Sequence, residues 1–423
     1  MEDLYSKYLE CDGRVTTDSR AVKGGELFFA IKGENFDGNA FALKAIESGA
    51  RYAVVQRGFF QEKRKELIEV EDTYQALKEL AICHRKHLEI PVIGLTGTNG
   101  KTTTKELIRE VLSRKFRVSA TEGNLNNDLG VPLTILKIGR EAQIAVVEMG
   151  ASHPGDIDKL VEISQPDYGL ITTVGKAHLL GFGSFEGAKR TKGELYRYLS
   201  SKEGSVVFLN SDDPDLKQMA SQWVKSHIWE YGIRYQNAEI LPATTENPFA
   251  RIRLDGQIIE SHLVGSYNAI NIMAAIAVGD YFGVERVEAV KAVSDYIPVN
   301  NRSQMMNTGR NVLIVDAYNA NPSSMSAALD NFALIRAPKK LALLGDMREL
   351  GADSTQEHET IVRKTSGADY ETMFVGEEFG KVTSSFADAD ALRAYLEENP
   401  VTGATILIKG SHSIQMEKLI SVL

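Results

Sequence analysis

Short apolar runs alternate with amphipathic stretches along most of the chain, the pattern of parallel strands joined by crossover helices. In the middle, Ile90-Pro-Val-Ile-Gly-Leu95, Ile144-Ala-Val-Val147, Leu170-Ile-Thr-Thr-Val174 and Val206-Val-Phe-Leu209 read as strands of one unit. Between the first two, Leu107, Ile108, Val111 and Leu112 recur at helical spacing and predict a helix with one apolar face. A second such unit begins near Asn301, with Val312-Leu-Ile-Val315, Leu341-Ala-Leu-Leu344, Met373-Phe-Val375 and Thr405-Ile-Leu-Ile408 as its strands. A smaller unit at the start holds Glu26-Leu-Phe-Phe-Ala-Ile31 and Tyr52-Ala-Val-Val55 as strands, with a helix over 72–87 leading into the centre. The expectation is an α/β chain of three domains: a small N-terminal α/β domain over 1–88, a central phosphate-loop domain with a mostly parallel sheet over 89–300, and a Rossmann-like domain over 301–423. The stretch 223–259 reads as β-rich hairpins and points to no function.

Length agrees, since 423 residues exceed one ordinary core and suggest two to four domains with clefts between them. With 43% hydrophobic and 25% charged residues, there is enough apolar material to fold throughout. A formal net charge of −9 argues against a nucleic-acid partner, so any phosphate site must be local. The opening Met1-Glu-Asp-Leu-Tyr lacks a basic segment followed by an apolar one, and no run of about 18 apolar residues occurs, so neither export nor a membrane partner is expected. Cys11 and Cys83 stand far apart without metal-ligand spacing, which fits a reducing compartment; the cytoplasm is the expected location and a monomer the expected state.

The sharpest chemistry lies in Gly97-Thr98-Asn99-Gly100-Lys101-Thr102-Thr103, which follows one predicted strand and opens a predicted helix. Glycines there let backbone N–H groups converge on an anion, and the helix N-terminus adds positive potential. Lys101 would reach the β- and γ-phosphates of ATP, and the Thr102 hydroxyl would coordinate Mg²⁺. Leu95 stands where the first glycine of the usual motif would fall, so this is a shorter variant of the loop. A plain strand-to-helix turn is the alternative.

Other candidates sit at strand ends or helix starts. Glu148 ends an apolar run and would project from the carboxyl edge of a strand, as a metal ligand or as a solvated carboxylate. His178, in Gly175-Lys-Ala-His178, follows a strand and taken alone reads first as a hydrogen-bonded loop histidine. Lys192, in Ala188-Lys-Arg-Thr-Lys192-Gly-Glu-Leu-Tyr196, reads by itself as a solvated helical lysine. Asn268 and Asn271 lie three apart and share a helix face, which could simply begin a helix. Asp316 ends a strand, and Asn321-Pro322 suits a helix cap with proline at the first position.

The phosphate loop resembles that of the Mur ligases and the related folylpolyglutamate synthetases, and further matches to the Mur ligases extend over nearly the whole chain. Thr17-Asp-Ser19-Arg20, Gly25-Glu-Leu-Phe28 and Gly33-Glu-Asn-Phe-Asp37-Gly38 look like the segment that holds the UDP end of a muramoyl nucleotide, which folylpolyglutamate synthetases lack. Thr121-Glu-Gly-Asn124-Leu-Asn126-Asn127 with Gly130-Val-Pro-Leu-Thr134, Asp316-Ala-Tyr318-Asn319-Ala-Asn321-Pro-Ser-Ser-Met325 and Leu344-Gly-Asp-Met-Arg-Glu-Leu-Gly351 are similar to the branch whose amine is D-alanyl-D-alanine. The resemblance implies ligation of that dipeptide to a UDP-N-acetylmuramoyl-tripeptide through an acyl phosphate. It implies ATP as cosubstrate and two Mg²⁺ ions held by Thr102, Glu148, His178 and Lys192, the last carbamylated by CO₂. Lys189 is a rival for the carbamate, but Lys192 better matches the family spacing to Leu195-Tyr196. A carbamate turns a cation into an anion and needs a lysine that can reach its neutral form.

By family position Asn271 would reach the adenine, with Asn268 nearby; Arg302 would reach the γ-phosphate; Asp316, Tyr318 and Asn319 would contact the nucleotide; Asn124, Asn126 and Asn127 would contact substrate. Asn301 precedes Arg302 where glycine is usual, and His412, after Lys409-Gly410-Ser411, stands where arginine is common. Two alternatives remain: a member of the family that adds a single amino acid, and a nucleotide-binding regulator that kept the loop without the chemistry.

Overall fold

The computed structural model describes residues 1–33, 36–175, 177, 179–244 and 247–423. Glu34 and Asn35 of the N-terminal motif, and Lys176 and His178 of the central one, lie outside the described residues, so the expectation for His178 carries no structural account.

The N-terminal part forms a four-stranded parallel sheet, in the order Val15–Thr16, Leu27–Phe29, Tyr52–Gln56, Leu67–Val70. The central sheet has six strands, all parallel, in the order His227–Tyr231, Val206–Asn210, Tyr168–Ile171, Val92–Thr96, Ile144–Glu148, Val118–Ala120. Its four inner strands are buried on both faces, which is why they read as continuous apolar runs rather than alternating ones. Ile93, Leu95, Val146 and Phe208 pack on one side against helices Lys101–Leu112 and Ala269–Tyr281. Val92, Val147, Val207 and Leu209 pack on the other against helices that include Asp156–Ser164 and Phe185–Ser201.

Helix Thr73–His87 begins on Asp72, whose side chain accepts from Gln75 N, and it ties the first sheet to the central one. Its Leu77, Leu80 and Ala81 share one continuous core with Leu27, Phe29 and Val54 on one side and Val131 and Ile135 on the other. The C-terminal sheet runs in the order Gln304–Asn307, Val312–Asp316, Thr405–Lys409, Lys340–Gly345, Glu371–Val375, parallel except for its first strand.

The stretch 223–259 resolves into two different things. His227–Tyr231 joins the central sheet as a parallel edge strand, and Glu239–Leu241, Phe249–Leu254 and Gln257–Val264 form an antiparallel sheet of three strands. Among the described residues no helix is long and apolar enough to cross a membrane.

Candidate nucleotide and ligation site

The strand Val92–Thr96 lies inside the central sheet, and its carboxyl end delivers the chain into the glycine loop at the edge where open α/β sheets bind ligands. Gly97 has φ +150° and Gly100 φ +79°; a Cβ on the first would collide with Thr172 Oγ1, and one on the second would lie 2.6 Å from Asn271 Oδ1. Neither position admits a side chain, so the backbone itself forms the cradle. Thr173 O accepts from Thr98 N at 2.8 Å, Thr173 Oγ1 accepts from Asn99 N at 3.0 Å, and Thr172 Oγ1 donates to Asn99 O at 2.6 Å. Helix Lys101–Leu112 starts at the lysine, with Thr102 and Thr103 buried in its first turn. Lys101 Nζ donates to Gly97 O at 2.8 Å and Thr98 O at 3.3 Å. Burial lowers its pKa, opposed by nearby Glu148 and reinforced by Arg302.

Glu148, 1% exposed, comes off the end of the neighbouring strand beside this loop. Its Oε1 accepts from Thr102 Oγ1 at 3.2 Å and from Asn126 Nδ2 at 2.7 Å, and its N–H donates to Thr121 Oγ1 at 3.0 Å. Oε2 is buried with no hydrogen-bond partner. A buried carboxylate oxygen left unpaired is costly, and a bound cation would relieve it. A hydroxyl and one carboxylate are the sparse oxygen set that suits Mg²⁺ bridged to substrate phosphates, and no cluster of three or more His, Cys, Asp or Glu exists among the described residues. The residues present therefore fit a magnesium–nucleotide.

Lys192 lies on helix Phe185–Ser201, which Ser184 caps by accepting from Gly187 N. It is 2% exposed, its Nζ is 4.7 Å from the centroid of Phe182, and among the described residues no carboxylate is within ion-pair distance. Burial, then the charge on Lys101, brings its pKa down to about 7, against a small opposing pull from Glu194. Lys189, one turn earlier, sits 2.6 Å from Asp215 and 3.2 Å from Glu186, and these partners raise its pKa. The two lysines are thus separated physically: Lys189 is held as a cation, whereas Lys192 has the ready access to a neutral amine that carbamate formation requires.

The C-terminal unit closes over the loop from the other side. Asn301 has φ +56°, a left-handed conformation that asparagine tolerates well, and its carbonyl accepts from Ala317 N at 3.0 Å, so the turn before Arg302 forms without glycine. The Arg302 guanidinium lies 3.8 Å from the centroid of Tyr318, which stacks in turn on His412 at 5.3 Å. Asp316 accepts from buried Lys409 Nζ at 2.6 Å and from Ser303 N at 3.3 Å, and Asn319 Oδ1 accepts from Ala320 N at 2.8 Å.

Asn268 ends a short 3₁₀ turn ahead of helix Ala269–Tyr281 rather than sitting inside it. It is nevertheless linked to Asn271, whose Nδ2 donates to Asn268 Oδ1 at 3.0 Å, and it donates to Ser303 Oγ across the units at 3.1 Å. Asn99 bridges the units as well, donating to Ser323 Oγ at 3.0 Å and accepting from Asn321 Nδ2 at 2.7 Å. Asn321 also caps helix Pro322–Leu334 through a capping box with Ser324.

Between these walls lies a cleft of about 760 Å³. It brings together Thr98 to Thr103, Glu148, Asn268, Asn271, Arg302, Asp316, Tyr318 and Asn319, with Asn124, Asn126 and Asn127 along one side. Gly97 and Lys192 are not on its surface, and Lys192 is buried. Ser19 and Arg20 are elsewhere, in the turn after strand Val15–Thr16 of the N-terminal unit, where Asp18 accepts from the exposed Arg20 side chain at 2.9 and 2.8 Å. Sequence reasoning did not single out Thr172, Thr173, Ser323 or the Lys409–Asp316 pair. Thr172 and Thr173 follow a strand, Ser323 begins a helix, and Asp316 and Lys409 each end a strand.

Residues 14–85 match the Mur ligase family, catalytic domain; residues 95–279 match the Mur ligase middle domain; residues 301–412 match the Mur ligase, glutamate ligase domain. The chain belongs to the Mur ligase family. Among curated relatives, the UDP-N-acetylmuramoyl-tripeptide--D-alanyl-D-alanine ligase of Bacillus subtilis (strain 168) is 34% identical over 425 residues, covering 96% of this chain and 92% of the relative. The enzyme of the same name from Escherichia coli (strain K12) is 34% identical over 429 residues, covering 97% and 93%. Among solved structures, MurF from Acinetobacter baumannii superposes with a TM-score of 0.84 at 30% identity, over 96% of this chain and 92% of that one. MurF ligase from Thermotoga maritima, solved in complex with ADP, gives 0.83 at 27% identity, over 100% and 98%. The α/β architecture of three Mur ligase domains is that of these neighbours.

Proposed function

We propose that this chain is an ATP-dependent ligase that joins D-alanyl-D-alanine to the terminal carboxylate of UDP-N-acetylmuramoyl-tripeptide, acting in the cytoplasm as a monomer at the last soluble step of peptidoglycan precursor synthesis. The observation that carries the reading is the meeting, in one cleft, of a glycine cradle, a buried carboxylate with a free oxygen, and a cationic guanidinium from a second unit. The names of the nearly full-length relatives support the choice of substrates.

In this reading residues 1–88, with Ser19 and Arg20, take the UDP end of the nucleotide substrate, residues 89–300 take ATP, and residues 301–423 bring the amine. The loop N–H groups from Gly97 to Thr103 and the Lys101 ammonium hold the β- and γ-phosphates. Asn268, Asn271, Asp316, Tyr318 and Asn319 surround the rest of the ATP, and Arg302 reaches the γ-phosphate. Asn124, Asn126 and Asn127 orient the peptide carboxylate. Thr102, Glu148, His178 and a carbamylated Lys192 would hold two Mg²⁺ ions, which supply positive charge to the transferring phosphoryl group and its acceptor.

A carboxylate is a poor electrophile until its oxygen carries phosphate, and phosphoryl transfer between two anions depends on positioning and charge neutralisation. The acyl phosphate is destroyed by water, and the contacts of Asn99 with Asn321 and Ser323 support a reading in which the C-terminal unit closes on the loop to exclude it.

The test is ADP release by the purified protein with a panel of UDP-muramoyl peptides and candidate amines. Turnover is expected only with the tripeptide and D-alanyl-D-alanine together. Efficient use of a single amino acid would replace this reading with another branch of the family, and nucleotide binding without any ligation would reduce the chain to a regulator.

A further inference from the structure

Three neighbouring strands of the C-terminal sheet, Gln304–Asn307, Val312–Asp316 and Thr405–Lys409, each have a planar side chain two or three residues beyond one end: Arg302 ahead of the first, Tyr318 after the second and His412 after the third. Gln304 pairs with Val315 and Asp316 with Lys409, so the segments that carry the three leave the sheet side by side at one edge, about 4.8 Å apart. That spacing lies in the range of offset-stacked rings, and the side chains do stack. The Arg302 guanidinium lies 3.8 Å from the centroid of Tyr318, and the Tyr318 and His412 rings are 5.3 Å apart with their planes 21° from parallel.

The backbone under His412 is fixed. Ser411 N donates to Asp346 O at 3.1 Å, Ser411 Oγ accepts from Arg348 N at 3.0 Å, and Gln415 N donates to His412 O at 3.0 Å in the 3₁₀ turn His412–Ile414. Lys409 Nζ ties down the segment beside it, donating to Asp316 Oδ2 at 2.6 Å and to Asn319 O at 3.1 Å, on either side of Tyr318 in the sequence. The guanidinium has no such anchor: among the described residues, Arg302 donates no hydrogen bond and has no carboxylate within ion-pair distance, and Tyr318 is what it rests on. A guanidinium held by its face keeps its fork of N–H donors for an oxyanion. Its charge also bears on Lys101, whose pKa falls through burial first and through Arg302 as well, against a pull from Glu148. Two cations from different units thus approach one place in the cleft, as a polyanion there would require. His412 is exposed and off the cleft surface, so what it offers the site is the ring it places against Tyr318.

We propose that His412 is a positioning residue for the nucleotide site: its imidazole braces Tyr318, and the braced ring presents the Arg302 fork to the terminal phosphate of ATP. The inference rests on one element of the reading above, that Arg302 meets that phosphate, and not on which amine is joined. Without the imidazole, Tyr318 is free to change rotamer and Arg302 to swing with it, so the cost falls on the terminal phosphate rather than on the rest of the nucleotide.

The experiment compares the parent with Arg302→Ala, His412→Ala, His412→Phe and the double variant carrying both alanines. Calorimetry gives the affinities for ADP and for a non-hydrolysable ATP analogue, each with Mg²⁺; their ratio reads the grip on the terminal phosphate and requires no ligation. Arg302→Ala should reduce the preference for the triphosphate roughly tenfold or more, the size of a lost hydrogen bond to a charged group, and His412→Ala roughly two- to tenfold, the size of one aromatic stack. ADP affinity should stay at the parent level in both. His412→Phe, which stacks but carries neither a charge nor a hydrogen-bonding group, should restore the ratio. In the double variant the loss of His412 should cost nothing beyond the loss of Arg302. An unchanged ratio in His412→Ala, a ratio that phenylalanine does not restore, or costs that simply add in the double variant overturns the inference. A parent and variants that show the expected ratios, in a protein that releases no ADP with the tripeptide and D-alanyl-D-alanine, would support the brace and refute the ligase reading, so the two failures are distinguishable.

Discussion

Replacing Lys192 by methionine should stabilise the unliganded protein while abolishing ligation, because the fold bears the cost of a buried ammonium that only the chemistry needs. The side chain is 2% exposed, and its pKa falls from the ordinary lysine value of 10.5 to about 7. A folded-state pKa below the unfolded one means that the unfolded chain binds more protons between those values, so stability rises with pH across that window. At 1.36 kcal/mol per unit, the penalty amounts to about 4 kcal/mol at pH 7.5, ~5 kcal/mol at pH 6 and ~2 kcal/mol at pH 9. Methionine fills a similar volume without the charge, so its advantage should be largest at pH 6 and shrink towards pH 9. The measurement is denaturant unfolding in CO₂-depleted buffer at these three values. Tryptophan emission is the right probe, because the only two tryptophans, Trp223 and Trp229, both belong to the central unit and Trp223 packs on the helix of Lys192 at Gly193. A variant less stable than its parent at all three pH values would refute the reasoning. So would a parent whose stability did not rise between pH 6 and 9.

Lys101→Ala should lower ligation roughly 100- to 1,000-fold or more without moving the unfolding midpoint by much, read by ADP release and by circular dichroism. Glu148→Gln should raise the Mg²⁺ concentration for half-maximal turnover by about tenfold or more, since the free Oε2 loses its charge. Asn99→Ala removes two hydrogen bonds between units, each contributing about 0.5–1.5 kcal/mol, and should increase the radius of gyration measured by X-ray scattering. Gly193→Ala gains helix propensity but drives a methyl group into the Trp223 ring; the collision should win, with a net loss of ~1–2 kcal/mol and a shifted tryptophan emission.

The apolar runs were legible because strands buried on both faces of a parallel sheet leave little room for polar residues, and both the central and C-terminal sheets follow them to within a residue or two at most ends. The edge strands were harder. His227–Tyr231 is exposed at three of its five positions and Gln304–Asn307 at two of four, so neither has an apolar signature to find. The phosphate loop was legible because its residues act through the chain next to them, glycine by conformation and Lys101 by starting a helix. Only the family spacing to Leu195-Tyr196 separated Lys192 from Lys189 in the sequence, and the physical difference was hidden there: both are buried on one helix, and Asp215 and Glu186 fold back onto Lys189 alone. The partners of Asp316 were hidden for the same reason: Lys409 is 93 positions away and meets it only because their two strands pair in register.

The loop that cradles phosphate and the contact that closes the cleft are built from the same residue. Asn99 lies between the two loop glycines, its backbone is held by Thr172 and Thr173, and its side-chain amide reaches the capped start of helix Pro322–Leu334 in the C-terminal unit. A loop fixed in place presents that amide correctly, so filling the cradle and docking the third unit favour each other by linkage, whichever comes first. Arg302 rides on the docked unit and, in the proposed reaction, carries charge towards the phosphates. In the proposed reaction, closure would assemble the charge needed for phosphoryl transfer and shut out water in a single movement, which a site built wholly within one unit would have to achieve separately.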